Sequence, residues 1–285
     1  MLQGVYTAIV TPFKNGEVDY DAYKKIIELQ LDAGIDGIVP MGTTGESPTM
    51  STDEHLKFIE KTIAFVDKRC KIMAGTGANS TKEAIHQTIE ALKMGADYSL
   101  QVTPYYNKPT QEGLYRHFSE VANVGLPIIL YNVPGRTGIS ISIDVIKRLS
   151  NNKNVAGVKE AGGSVDRISE ILSVTDIAIL SGDDALTVPM MALGAKGVIS
   201  VASNLYPSVI KQMIDAMNCK NYDKALNIHY KYYQFMKDIF IETNPIPIKA
   251  AMAKAGLINE EYRLPLCPMK REAKDVLYKT IDNLI

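Results

Sequence analysis

A (β/α)8 TIM barrel with a C-terminal helical extension is the α/β fold this sequence predicts, and three observations carry that prediction. Short β-branched apolar runs alternate with longer segments of helical period, the pattern of repeated βα units around a parallel sheet. Eight such runs fall within about 200 residues, which favours a closed barrel over an open doubly wound sheet. No GxGxxG follows the first run, which weakens the dinucleotide-binding alternative. A length of 285 residues suits one large domain, or a barrel with an appendage.

In chain order, strands are expected near Val5 to Val10, Gly37 to Pro40, Lys71 to Gly75, Tyr98 to Val102, Ile128 to Tyr131, Val155 to Lys159, Ile177 to Leu180 and Gly197 to Ser200. Amphipathic stretches such as Tyr20 to Ala33, Thr81 to Met94 and Gly113 to Val124 lie between them, several opened by Ser, Thr or Asp at an N-cap. Gly34, Gly95 and Gly194 stand where helices would exit. After Ser200 the character changes. One more barrel helix, Pro207 to Met217, is followed only by helical segments near Asn221 to Glu242, Pro245 to Ala255 and Met269 to Asp282. The reading therefore assigns 1–217 to the barrel and 218–285 to a helical region that can cap it or form a subunit interface.

Charge is balanced, 31 Lys and Arg against 32 Asp and Glu, and no basic face stands out, so neither nucleic acid nor an anionic membrane is an expected partner. No apolar run approaches the roughly 18 residues a spanning helix needs. The first residues lack a basic stretch followed by a long apolar one, and a cytoplasmic location is expected. Cys70, Cys219 and Cys267 are far apart and read as isolated reduced thiols. His55, His86, His117 and His229 show no HxH or HExxH spacing, so no metal or other cofactor is expected.

In such barrels, catalytic groups close the C-terminal ends of strands or sit on the loops that follow. Lys159 ends NVAGVK, where desolvation disfavours the ammonium and leaves an amine able to attack a ketone. The alternative is a structural lysine paired with Glu160. Tyr131 ends PIILY at a neighbouring strand, either as a proton shuttle or as a buried phenol satisfied by one hydrogen bond. GTTGE at 42–46 can turn amides and hydroxyls towards a carboxylate, or be an ordinary turn. Asp183 and Asp184 would repel a phosphate and read as N-caps of the next helix.

Together, GTTGE at 42–46, VTPYYNKPTQEGLYRHF at 102–118, YNVPGRTG at 131–138, GVKEA at 157–161, SGDD at 181–184 and GVISV at 197–201 resemble the dihydrodipicolinate synthase family. The likeness runs from Val5 to beyond Ile246, essentially the whole chain. It implies condensation of pyruvate with L-aspartate 4-semialdehyde in the diaminopimelate route to lysine, by a homotetramer. By the same resemblance Lys159 is the Schiff-base lysine, Tyr131 the proton donor and acceptor, and Thr43 with Tyr106 the rest of a relay, Tyr106 reaching into the adjoining subunit. Thr44 would hold the pyruvate carboxylate, Ile199 would supply a backbone contact and Gly182 would line the pocket. Related aldolases of sugar acids share the lysine and tyrosine. Arg136 bears on that choice, since its guanidinium can take the second carboxylate that the semialdehyde brings. A barrel that has lost catalysis should lack this set. Ser47, His55, Asn79, Glu83 and Tyr105 match the lining of the family's lysine-inhibition site, with Pro48 and Thr52 standing where a sensitive relative can carry Ala and His.

Overall fold

The parallel strands close on themselves in the computed structural model, which describes residues 2–284. They are β1 (Gly4–Ala8), β2 (Gly37–Val39), β3 (Lys71–Gly75), β4 (Tyr98–Val102), β5 (Ile128–Asn132), β6 (Val155–Glu160), β7 (Ala178–Ser181) and β8 (Gly197–Ser200). Each pairs with its successor in the chain, and β8 pairs with β1 through Gly4↔Gly197 to Thr7↔Ser200. The expected strands all form, and β3, β4 and β8 keep their expected limits. β1 ends at Ala8 because the Val10 amide has left the sheet to donate to Asn204 Oδ1 at 3.1 Å.

Side-chain alternation along the strands separates two environments. On β5, Ile128 and Leu130 join the hydrophobic layer beneath the helices, whereas Ile129 and Tyr131 join the barrel interior with Tyr6, Val39, Met73, Leu100, Leu180 and Ile199. Val158 of β6 faces the outer layer, so the next residue, Lys159, points inwards. The period-2 rule thus determines which strand-end groups reach the barrel axis.

The barrel helices are α1 (Tyr20–Asp32), α2 (Thr52–Val66), α3 (Thr81–Met94), α4 (Gln111–Ala122), α5 (Ile143–Ser150), α6 (Asp166–Leu172), α7 (Thr187–Ala192) and α8 (Pro207–Asn218). A capping box of Ser51 and Glu54 opens α2, and Gly95 closes α3 in the left-handed conformation at φ 97°. Between β1 and α1 lies a hairpin, Phe13–Lys14 with Glu17–Val18, which the sequence reading passed over although Asn15-Gly16 is a two-residue turn signal.

Three further helices follow, α9 (Tyr222–Asp238), α10 (Ile246–Lys254) and α11 (Arg271–Asp282). Their Phe235, Ile248 and Leu277 belong to the same hydrophobic cluster as Val5, Ile38 and Val198 of the barrel. α9 stops at Asp238 instead of continuing to Glu242. The amides of Phe240 and Ile241 close tight turns on the Lys237 and Asp238 carbonyls, and Pro245 disfavours helical geometry at the residue before it. α10 is buried through Ile246 to Met252, with one lysine, Lys249, among apolar neighbours.

Candidate active site at the barrel mouth

Lys159 is 6% exposed and stands level with Tyr131 on β5 and Leu180 on β7. Its Nζ lies 4.1 Å from the Tyr131 ring centroid, and it has no hydrogen-bond or ion-pair partner among the described residues. The adjacent Glu160 is not its counter-ion. That carboxylate is fully buried and accepts from Asn132 Nδ2 at 2.8 and 3.0 Å, the Gly162 amide at 2.8 Å and Arg167 Nε at 3.0 Å. Strand alternation sends the two side chains to opposite faces, leaving the amine unclaimed. Gly182 leaves room for it, because a Cβ there would sit 3.0 Å from Lys159 Cε and 2.7 Å from Ala161 Cβ.

Tyr131 is buried, and its hydroxyl makes no hydrogen bond among the described residues, unlike a core tyrosine such as Tyr23, bonded to Thr62 at 2.7 Å. Thr43 begins a one-turn 3-10 helix after β2, in which the amides of Gly45 and Glu46 close on the carbonyls of Gly42 and Thr43. Thr44, buried beside it, accepts from Asn244 Nδ2 at 2.9 Å, and Arg136 Nη2 donates to the Asn244 carbonyl at 2.9 Å.

A cavity of about 380 Å³ opens on this mouth, walled by Thr43, Tyr131, Val133 and Arg136. Thr44, Lys159, Gly182 and Ile199 are not on that wall. Ile199 shares the interior cluster with Tyr131, and Lys159 and Gly182 abut each other. The cavity continues to Ser47, Pro48, Thr52, His55, Glu83, Gln87 and Tyr105, which puts four of the five residues matched to a regulatory site on one wall. Asn79 is not on it, and its carbonyl accepts from Asn107 Nδ2 at 2.9 Å. His55 Nε2 donates to the Gly75 carbonyl at 2.7 Å, and burial lowers the imidazole pKa, favouring the neutral ring. Burial, then the Glu83 charge, raises the Tyr105 phenol.

Tyr106 does not join the others within the chain. It is 92% exposed on the loop between β4 and α4, with a left-handed backbone at φ 66°. The foot of that loop is fastened by Thr103 Oγ1, which donates to the Tyr131 carbonyl at 2.9 Å.

Two residues near the mouth, Asn244 and Lys249, drew no reading from the sequence, and two that did, Glu46 and Asp184, serve differently from what was expected. Asn244 is the bridge between Thr44 and Arg136. Glu46 and Lys249 form an ion pair at 2.5 Å with both side chains fully buried. Asp184, expected to cap its own helix beside Asp183, instead turns to β8. There it accepts from Ser200 Oγ at 2.5 Å and the Val201 and Ala202 amides at 2.9 and 3.0 Å, while Asp183 alone does the capping. Burial raises the Asp184 pKa against the pull of those hydrogen bonds.

Fold and site place the chain among (β/α)8-barrel lyases that carry a lysine at the end of the sixth strand. It belongs to the dihydrodipicolinate synthetase family, whose model matches residues 1–284. The chain is 52% identical to the 4-hydroxy-tetrahydrodipicolinate synthase of Hydrogenobaculum sp. strain Y04AAS1, over 98% of this chain and 99% of that one. The solved structure of the same enzyme from Methylacidiphilum fumariolicum SolV superposes with a TM-score of 0.98 at 49% identity, covering 100% of this chain and 96% of that one. A dihydrodipicolinate synthase from Cyanidioschyzon merolae, solved with lysine bound, has a TM-score of 0.95 at 39% identity, covering 99% and 98%.

Proposed function

We propose that the chain condenses pyruvate with L-aspartate 4-semialdehyde to 4-hydroxy-tetrahydrodipicolinate, in the diaminopimelate route to lysine, through a Schiff base on Lys159. The observation that carries this reading is the buried Lys159 amine with no counter-ion, 4.1 Å from the Tyr131 ring and flanked by a glycine. The neutral amine adds to the pyruvate ketone, and loss of water gives the imine. Its protonated form is the electron sink that lets the methyl carbon lose a proton and attack the aldehyde. The semialdehyde nitrogen then attacks the imine carbon, releasing Lys159 and closing the ring. No metal or cofactor is needed, since the iminium supplies the electron demand.

Tyr131, Thr43 and Tyr106 form the proton relay, with Tyr106 contributed to the site of an adjoining subunit in a homotetramer of two such dimers. Thr44 holds the pyruvate carboxylate, Ile199 offers backbone to the same substrate, and Gly182 keeps the space above the lysine open. Arg136 takes the semialdehyde's carboxylate with the guanidinium donors that Asn244 leaves free. The enzyme works in the cytoplasm. Among the described residues no helix is long and apolar enough to cross a membrane.

Lysine, the pathway product, occupies the far arm of the cavity. Glu83 pairs with its α-ammonium and Tyr105 donates to its carboxylate, Ser47 and His55 complete the lining, and Asn79, which lies off that wall, turns in to add a second donor. Pro48 and Thr52 set this arm apart from one lined by Ala and His, because they remove a backbone donor and an imidazole.

Borohydride reduction in the presence of pyruvate, followed by peptide mapping, tests the chemistry. Label on Lys159 is the expected result, and label elsewhere or none overturns it. Comparison of the semialdehyde reaction with cleavage of 2-keto-3-deoxy sugar acids tests the substrate. Calorimetry with millimolar lysine, with Glu83→Ala as control, tests the regulatory arm; absence of binding removes it.

A further inference from the structure

From Ile246 to Met252 the helix α10 is buried and apolar except for Lys249, and that cation lies deep in the protein. Its partner is Glu46, at 2.5 Å, and neither side chain has any exposed surface. The rings of Phe13 and Tyr262 stand 4.4 and 5.0 Å from Lys249 Nζ, and the second oxygen of Glu46 faces the Arg263 amide at 3.4 Å. Desolvation lowers the Lys249 pKa, and the Glu46 charge opposes that shift. A dry ion pair of this kind adds little stability over a well-packed apolar pair, so stability alone does not account for a lysine in this helix.

What the pair does hold is a direction. Glu46 is the residue that closes the turn bearing Thr43 and Thr44, donating its amide to the Thr43 carbonyl at 3.1 Å from a left-handed backbone at φ 58°. Just before α10, Asn244 holds the hydroxyl of Thr44 at 2.9 Å. Two residues of one C-terminal segment therefore grip two residues of one turn. The grip on Glu46 is charged, short and shielded from water.

We propose that Lys249 and Glu46 are positioning residues, a buried clamp through which α10 sets the Thr43–Thr44 turn for pyruvate. The C-terminal helices are thereby part of the active site of their own chain. The clamp rests on the reading of Thr44 as the carboxylate site, and it predicts a defect in pyruvate affinity that outlasts any repair of stability.

The test uses the full-length protein and pyruvate itself. Lys249→Met alone strands a buried carboxylate and should unfold the chain at a lower temperature. The neutral pair Glu46→Gln/Lys249→Met removes both charges at similar volume, and its melting transition should return close to that of the parent. Its half-saturating pyruvate concentration for borohydride trapping should nevertheless rise about tenfold or more, with Lys159 still labelled at saturation. Glu46→Asp, which keeps both charges but shortens the link, should show the same rise and serves if the neutral pair folds poorly. A folded variant with the parent's half-saturation overturns the clamp. Failure of the parent itself to be trapped would instead overturn the Schiff-base reading, so the two failures are distinguishable.

Discussion

Tyr131 and Tyr106 lie beside neighbouring strand ends and are assigned to one relay, yet their circumstances are opposite. Tyr131 is 6% exposed, packed in the barrel interior with Lys159 Nζ against its ring. Tyr106 is 92% exposed, and its backbone is held in a conformation that non-glycine residues adopt at some cost. Strand alternation places the first ring with no help from outside the chain. The second ring has a well-anchored loop foot and nothing of its own chain to rest on. One chain thus places Lys159 and its nearest phenol together in the barrel, and on the proposed relay it leaves the other phenol free to complete an adjoining subunit's site.

The comparison can be broken at the point both tyrosines serve. Lys159→Arg keeps a cation and removes the nucleophile, so trapping by pyruvate and borohydride should vanish while the melting temperature changes little. Retained labelling would leave neither tyrosine with a reaction to assist.

The next effect in size belongs to the buried phenol. Tyr131→Phe should lower kcat by roughly 10²–10⁴-fold and raise the pyruvate KM much less, since it deletes a proton carrier and retains the ring beside Lys159. A change confined to KM would make Tyr131 a binding residue.

Tyr106→Phe should lower kcat by about 10²-fold with little effect on pyruvate binding. It should also be rescued in trans. When Tyr106→Phe and Lys159→Ala chains exchange freely, half the dimers are mixed and one of their two sites is whole, so about a quarter of the parent activity should return. No recovery after verified exchange would place Tyr106 in its own chain's site or in none.

The smallest effect concerns the footing of the Tyr106 loop. His117, on the helix that follows it, is bonded to Thr81 Oγ1 through Nδ1 at 2.9 Å, and burial pushes its pKa down to about 4. The unfolded chain binds a proton below about pH 6.5 that the folded chain refuses until about pH 4, so stability should fall as pH drops through that window. His117→Gln should remove on the order of 1–2 kcal/mol of the loss between pH 7.5 and 5, measured by urea unfolding. An unchanged loss would assign the acid sensitivity to other groups.

Lys159, Tyr131 and the GTTGE turn were legible because local rules decide them. A polar residue closing an apolar strand has one place to go in a barrel, and period-2 alternation says which face it takes. The hairpin at 13–18 was legible too, through Asn15-Gly16, but its two-residue strands are too short to stand out beside eight longer ones. Asp184 misled for a physical reason: its position after β7 is that of an N-cap, and only the packed barrel reveals unsatisfied amides beyond β8 as better donors. Asn244 and Lys249 answer to residues 200 and 203 positions away, a separation no periodicity encodes. One sign was available. The first lysine of IPIKAAMAK stands among apolar residues on every side and cannot stay buried without an acidic partner.

That separation also sets an order of assembly during synthesis. Glu46 leaves the ribosome long before Lys249 exists, and at roughly 5–20 residues per second the wait is on the order of ten to forty seconds. Throughout it, the first loops of the barrel carry a carboxylate suited to water and not to the interior. The nascent chain therefore has a thermodynamic reason to keep its mouth open and hydrated until the last helices arrive. On the proposed clamp, a truncated product stalled before residue 244 therefore carries Lys159 but lacks both Asn244 and Lys249, the residues that fasten the Thr43–Thr44 turn.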